Sequence, residues 1–134
     1  MLKKLFLALI LGVGISLSGS AQTVWYKAFS YAYHQKTSYG TWENWTPWYS
    51  CDIDMKIDWD NDYIVIYSQT TQRYMVVSYD GQYQEPDGGT QAQFKVIDQD
   101  SDRGYIRLRI EASGNSQLYV DFNNISWVYN IRKR

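Results

Sequence analysis

The sequence predicts an all-β domain, an antiparallel up-and-down barrel of eight strands, on three observations. Apolar and polar residues alternate almost without error from Tyr49 to Trp59, which is the period of a strand with one packed face and one wet face. Turn residues such as Asp80-Gly81 recur at short intervals, and no amphipathic helical stretch separates them. About eight strands close a small barrel, and closure removes exposed sheet edges. A two-sheet β-sandwich is the alternative.

Each predicted strand is an apolar-rich segment bounded by turn or loop residues. In chain order the predicted strands are Val24–His34, Trp48–Trp59, Tyr63–Gln69, Arg73–Tyr79, Gln91–Ile97, Tyr105–Ala112, Gln117–Phe122 and Ile125–Arg132. Two connections are longer and polar, over residues 35–47 and 83–90, and the others are short turns. This hairpin spacing favours a meander in which consecutive strands are neighbours.

Alternation along each strand also predicts which side chains fill the barrel. The predicted inward residues are Ile64, Ile66, Tyr74, Val76, Phe94, Val96, Ile106, Leu108, Ile110, Leu118, Val120, Phe122, Trp127, Tyr129 and Ile131. The first strand has a face of small residues around Ala28 and a face of rings that includes Trp25 and Phe29. Burying rings removes more apolar area from water, so we expect the ring face to point inward and fill the barrel.

The first 21 residues have the features of a secretory signal peptide. A basic start at Lys3 and Lys4 precedes an apolar run over residues 5–17, too short to span a bilayer comfortably, and small residues lead to Ala21. Cleavage after Ala21 leaves 113 residues, the size of one small domain. We therefore expect residues 22–134 to form a single domain, periplasmic or secreted, with no membrane span after signal cleavage.

Charge and cysteine content exclude two further classes of protein. Without Lys3 and Lys4 the chain has eleven basic and fourteen acidic side chains, and this negative net charge argues against nucleic acid as a partner. Cys51 is the only cysteine, so this exported domain has no disulfide framework of its own. Because Cys51 lies on the apolar face of its strand, we expect a buried free thiol.

An aromatic cluster after the first strand is the predicted binding surface. It comprises Tyr39, Trp42, Trp45, Trp48 and Tyr49, named the aromatic loop below. Flat rings stack on the apolar faces of sugars or on apolar ligands, and loops at the end of a β-scaffold commonly carry recognition. The alternative interpretation is a buried hydrophobic plug over one end of the barrel, because indoles are mostly buried in proteins.

The segment Gly40-Thr41-Trp42 resembles the Gly-x-Trp signature of lipocalin-type barrels. That resemblance implies a tryptophan that closes one barrel end beneath a basic side chain of the last strand, here Arg132, and a small apolar ligand in the interior. The segment follows a strand instead of opening the first one, and the lipocalin disulfide is missing. The overall pattern, up to the closing residues 124–131, also resembles small exported proteins of Bacteroidetes-type bacteria, which implies no activity.

Metal binding and catalysis are weakly supported by the residues. Carboxylates spaced as in calcium loops begin at Asp58 and at Asp98, but neither segment supplies the glycine and glutamate of a helix-loop-helix site, so turn capping is the better interpretation. His34, the only histidine, and Cys51 form a conceivable nucleophilic pair without a third, orienting residue. The sequence therefore predicts no catalytic residue, metal or cofactor.

Together these features predict an exported binding protein that carries out no chemistry. Recognition of a glycan or a protein partner through the aromatic loop is the first hypothesis. A lipocalin-like carrier of a small apolar ligand in the barrel interior is the second.

Overall fold

The computed structural model describes residues 23–113 and 115–134, which form a closed antiparallel barrel. Its strands are β1 (Thr23–Gln35), β2 (Tyr49–Asp58), β3 (Tyr63–Ile66), β4 (Gln72–Gln84), β5 (Thr90–Ile97), β6 (Arg103–Ile110), β7 (Ser116–Asp121) and β8 (Ile125–Lys133). Each strand pairs with the next one, and β8 pairs with β1 to close the barrel. The predicted barrel is confirmed, and the sandwich is wrong. The predicted signal peptide, residues 1–21, lies outside the described residues.

Up-and-down connectivity places alternate connections at opposite ends of the barrel. The connections after β1, β3, β5 and β7 lie at one end, named the loop end here. The connections after β2, β4 and β6 lie at the other end, named the plug end, together with the start of β1 and the end of β8. In the part of the chain that the structure describes, no helix is long and apolar enough to cross a membrane.

The predicted inward face of the later strands is confirmed by the core. Side chains from different strands meet inside the barrel, where Met55, Phe94 and Leu118 are almost completely buried. Most other predicted inward residues are also buried, whereas Phe122 and Trp127 pack against the core and remain partly accessible near the loop end. The barrel interior is therefore occupied by side chains of the protein itself.

The face prediction for β1 is wrong for the first half of the strand and correct beyond a β-bulge. Val24, Tyr26 and Ala28 point into the core, while Trp25 and Phe29 are exposed on the outer wall. The register shifts between Ala28 and Ser30 against both neighbouring strands, and beyond the shift Tyr31 packs inward. A bulge adds one residue and so exchanges the two faces half-way along the strand.

The Asp80-Gly81 segment is a β-bulge and not the predicted turn. Strand β4 continues through it to Gln84, and the register against β5 shifts between Tyr79 and Gly81. Gly81 has a φ of 110°, in the region that favours glycine, so the same residues that suit a turn also permit the bulge. Separately, strand β3 is shorter than predicted and ends at Ile66.

Trp59, and not Trp42, closes one end of the barrel. Trp59 follows β2 at the plug end, belongs to the core cluster and is only 1% exposed. Trp42 is exposed at the opposite end, and Arg132 lies with its guanidinium carbon 5.4 Å from the centre of the Phe29 ring on the outer wall. The pairing of Trp42 with Arg132 implied by the lipocalin resemblance is therefore wrong.

Candidate functional site

All five residues of the aromatic loop are exposed. The exposed fraction ranges from 42% for Trp45 to 93% for Tyr39. The alternative interpretation of a buried plug is therefore wrong for this end of the barrel. Exposed indoles that cluster on a protein surface typically mark a contact site, since single exposed apolar residues need no explanation but a patch does.

Two of the indoles are held in a stack with His34. The imidazole centre lies 4.3 Å from the Trp42 ring centre and 3.8 Å from the Trp45 ring centre, with interplanar angles of 19° and 13°. Two indoles at these distances cannot share one face of an imidazole without overlapping, so His34 lies between them. From the sequence, His34 was considered only as a conceivable partner of Cys51. Its position between the indoles depends on the path of the connection, which sequence patterns do not specify.

Backbone hydrogen bonds hold the connection that carries the indoles. The amide of Glu43 donates to the carbonyl of Gln35, and the amide of Thr46 donates to the carbonyl of Tyr33. The Thr46 hydroxyl accepts a bond from the Tyr33 amide at 3.1 Å. The connection thus continues the β1–β2 ladder beyond the barrel, and the rings are presented from a fixed backbone.

The faces of the stacked indoles are not equally free. The ammonium group of Lys36 lies over the Trp42 ring, 5.3 Å from its centre. Such a cation over an indole is favourable, so one face of Trp42 is partly occupied. The outer face of Trp45 and the ring of Trp48, which is 51% exposed, are the more accessible stacking surfaces.

Tyr49 packs with a group of rings at the barrel mouth, separate from the stack of Trp42, His34 and Trp45. Its ring centre lies 5.4 Å from that of Tyr31, which packs on Trp127 and Tyr129 just inside the barrel mouth. Beside this group is a pocket of about 360 Å³ with neutral walls, including Cys51 and Gln72. Sequence alternation placed Trp127 and Tyr129 on the inward face but gave no sign that a pocket reaches them.

A second pocket of about 410 Å³ lies at the loop end between two turns. Its apolar surface comes from Tyr74, Phe122 and Trp127. Polar residues of the β5–β6 and β7–β8 connections complete it, namely Asp98, Asp102, Arg103, Asn123 and Asn124. This set was missed by sequence reasoning because barrel closure, and not chain proximity, brings the two turns together.

Cys51 and His34 do not form the conceivable nucleophilic pair. The Cys51 thiol donates to the carbonyl of Ala28 at 3.5 Å on the inward side of the sheet, whereas His34 stacks with the indoles on the outer side. Cys51 is a free thiol, half-buried against the core and not fully enclosed as predicted. Burial raises the pKa of this thiol, and the neighbouring negative charge of Asp52 raises it further.

The acidic segments act as turn caps, as predicted. The Asp58 carboxylate accepts bonds from the amides of Asp60 and Asn61, and the Asp98 carboxylate accepts bonds from the amides of Asp100 and Asp102. Backbone and side-chain donors from the Asn61 segment also help lower the pKa of Asp58, against the opposing effect of its burial. Among the described residues no group of three or more His, Cys, Asp or Glu side chains could hold a metal ion.

Comparison with known proteins gives no functional assignment, so the interpretation of the site rests on the residues described above. No family model, curated protein or solved structure matches the chain.

Proposed function

We propose that this protein is an exported binding protein, without catalytic activity, that recognises glycans through its aromatic loop. The observation that carries the proposal is the Trp42–His34–Trp45 stack, which leaves two indoles exposed in a fixed orientation. A sugar ring has apolar C–H faces that stack on flat aromatic surfaces. Fixing the rings before binding lowers the ordering cost that association otherwise carries.

The surroundings of the loop support a glycan more than a flat protein surface. The pocket of about 410 Å³ opens at the same end, and its walls offer amide, carboxylate and guanidinium groups suited to hydroxyl groups. The interior-carrier hypothesis has less support, since core side chains such as Met55, Phe94 and Leu118 occupy the space that a carried ligand needs.

The test is a titration of the mature protein with soluble oligosaccharides, in which binding is measured by tryptophan fluorescence and by calorimetry. Trp45→Ala removes an accessible stacking face, and we expect it to weaken glycan binding by roughly tenfold. Trp25→Ala is the matched control, because Trp25 is also an exposed indole but lies on the outer wall, where it stacks on Tyr67 with ring centres 5.9 Å apart.

Equal losses in the two variants, or no saturable binding of any glycan by the wild type, would refute glycan recognition by the aromatic loop. Saturable binding of an apolar fluorescent probe that Trp45→Ala leaves unchanged would favour the interior carrier instead. Saturable binding of neutral oligosaccharides that only Trp45→Ala weakens would support the proposal.

A further inference from the structure

The pocket between the β5–β6 and β7–β8 connections adjoins the aromatic loop. The amide of Lys36, the first residue after β1, donates to the carbonyl of Asn124 at 2.9 Å. Lys36 also forms a β-bridge with Trp42, so a single residue separates the pocket wall from the stacked indoles. The pocket rim and the backbone of the connection that carries the indoles are therefore neighbours at the loop end.

The pocket combines an aromatic surface with both hydrogen-bond donors and acceptors. The rings of Phe122 and Tyr74 have centres 5.9 Å apart, and Trp127 completes the apolar side. The side-chain amides of Asn123 and Asn124 make no hydrogen bond to any described residue, so they are available to a ligand. Each sugar hydroxyl both donates and accepts, and an amide group offers both functions to it.

We propose that this pocket is a subsite for one neutral sugar unit of the glycan whose neighbouring units stack on the aromatic loop. The inference rests on the proposed glycan recognition and assigns the chemistry of the bound unit. A pocket of about 410 Å³ lies within the range of roughly 300–1,000 Å³ that small-molecule sites occupy.

The charges of the pocket select a neutral unit over an acidic one. Asp98 and Asp102 line it together with Arg103, which makes no ion pair with any described residue. One Asp98 oxygen is already used by the turn amides, but its charge remains, so two carboxylates outnumber one guanidinium. A uronate or sialate carboxylate entering this space meets net repulsion, and like charges brought close together are costly.

A glycine fixes the position of the apolar surface of the pocket. A Cβ atom at Gly104 would lie 2.7 Å from the carbonyl oxygen of Asp121 and 2.9 Å from the Phe122 ring. Only glycine at this position lets the end of β7 and the Phe122 ring lie so close to β6. The position of the Phe122 ring in the pocket therefore depends on the close packing of β6 against β7.

The test uses full-length mature protein and three ligand sets of two to six units: neutral gluco-oligosaccharides, neutral manno-oligosaccharides and anionic oligogalacturonides. The double variant Asn123→Ala and Asn124→Ala removes both free amides without changing the charge or the backbone bond to Lys36. We expect it to weaken binding of the neutral ligand by about tenfold or more. Gln84→Ala, an exposed amide at the plug end, is the matched control and should leave affinity unchanged.

The outcomes separate this inference from the proposal on which it rests. If Trp45→Ala weakens binding while the double variant binds like the wild type, the glycan function stands and the subsite is overturned. If oligogalacturonides bind more tightly than the neutral sets, the neutral assignment is overturned. If the wild type binds no glycan, both fail. Circular dichroism and thermal melting show whether each variant is folded. Arg103→Gln is a second variant of the same pocket, and it should also weaken binding of the neutral oligosaccharides.

Discussion

The two ends of the barrel use the same aromatic side chains in opposite ways. At the plug end the indole of Trp59 is 1% exposed and completes the core. At the loop end three indoles are each more than 40% exposed, and two of them stack on His34. Burial of an indole stabilises a fold, whereas a fixed exposed indole contributes surface that only a partner can cover. The difference predicts that the plug-end indole contributes to stability and that the loop-end indoles contribute little to it, which is compatible with the proposed recognition role of the loop end.

Trp59→Ala gives the largest expected effect and tests the plug end directly. Removal of a buried indole leaves a cavity and should lower the free energy of unfolding by about 3–5 kcal/mol. Trp48→Ala, the same substitution at the loop end, should change it by about 0.5 kcal/mol or less, as surface changes usually do. Urea denaturation of both variants measures the contrast. Similar losses in the two variants would mean that the ends do not differ in this way.

Leu108→Ala tests whether the wall between the ends follows the inward assignment. Leu108 is buried in the core on β6, so truncation should cost about 2–5 kcal/mol through lost burial and a cavity. Tyr105→Ala on the outer face of the same strand is the control, with an expected loss of about 0.5 kcal/mol. A larger loss for Tyr105→Ala than for Leu108→Ala in chemical denaturation would show that the strand faces are reversed.

Alkaline pH should destabilise the protein because tyrosines are buried in both halves of the barrel and their ionisation opposes burial. Burial raises the pKa of Tyr26 in the core and of Tyr74 and Tyr129 beneath the loop-end pockets. The folded state therefore keeps these phenols protonated when the unfolded chain begins to ionise, at about pH 10. Their contribution to stability is complete below that pH and is lost as the pH rises above it.

The measurement is the melting temperature between pH 8 and 12, with tyrosinate absorbance followed in parallel. We expect the buried tyrosines Tyr26, Tyr74 and Tyr129 to ionise only on unfolding. Ionisation of all thirteen tyrosines at one midpoint with native circular dichroism would contradict the burial assigned to these three.

The smallest expected effect concerns Cys51, which lies at the boundary between the core and the barrel mouth. Since burial and the charge of Asp52 raise the pKa of the thiol, less thiolate is present at pH 8 than for a free cysteine. Alkylation by a bulky maleimide should be slow in the native protein, faster at higher pH and fast in denaturant. Mass spectrometry of timed samples records the rates, and equal rates in the folded and unfolded protein would place the thiol in open solvent.

Sequence periodicity was sufficient for the barrel because the alternation of apolar and polar residues in most strands shows which face is buried. The alternation around Ile106 and Leu108 predicted their burial, and the acidic residues Asp58 and Asp98 were predicted as turn caps from their spacing alone. These are local properties, since side-chain period and Asx turns involve only neighbouring residues. The aromatic loop was likewise visible as a composition cluster, although its exposure was not.

Whatever depends on residues far apart in the chain was decided by the tertiary structure. The bulge between Ala28 and Ser30 exchanges the inward and outward faces of β1. Its position depends on the pairing of β1 with both neighbouring strands, and the residue pattern of β1 alone does not show that pairing. The choice of Trp59 over Trp42 as the plug depends on which end of the closed barrel each indole reaches. The pocket beside Asn124 exists because closure brings the β5–β6 and β7–β8 turns together. The sequence by itself determined the strands and the rings, and the packing of the barrel determined which rings are buried and which are free to bind.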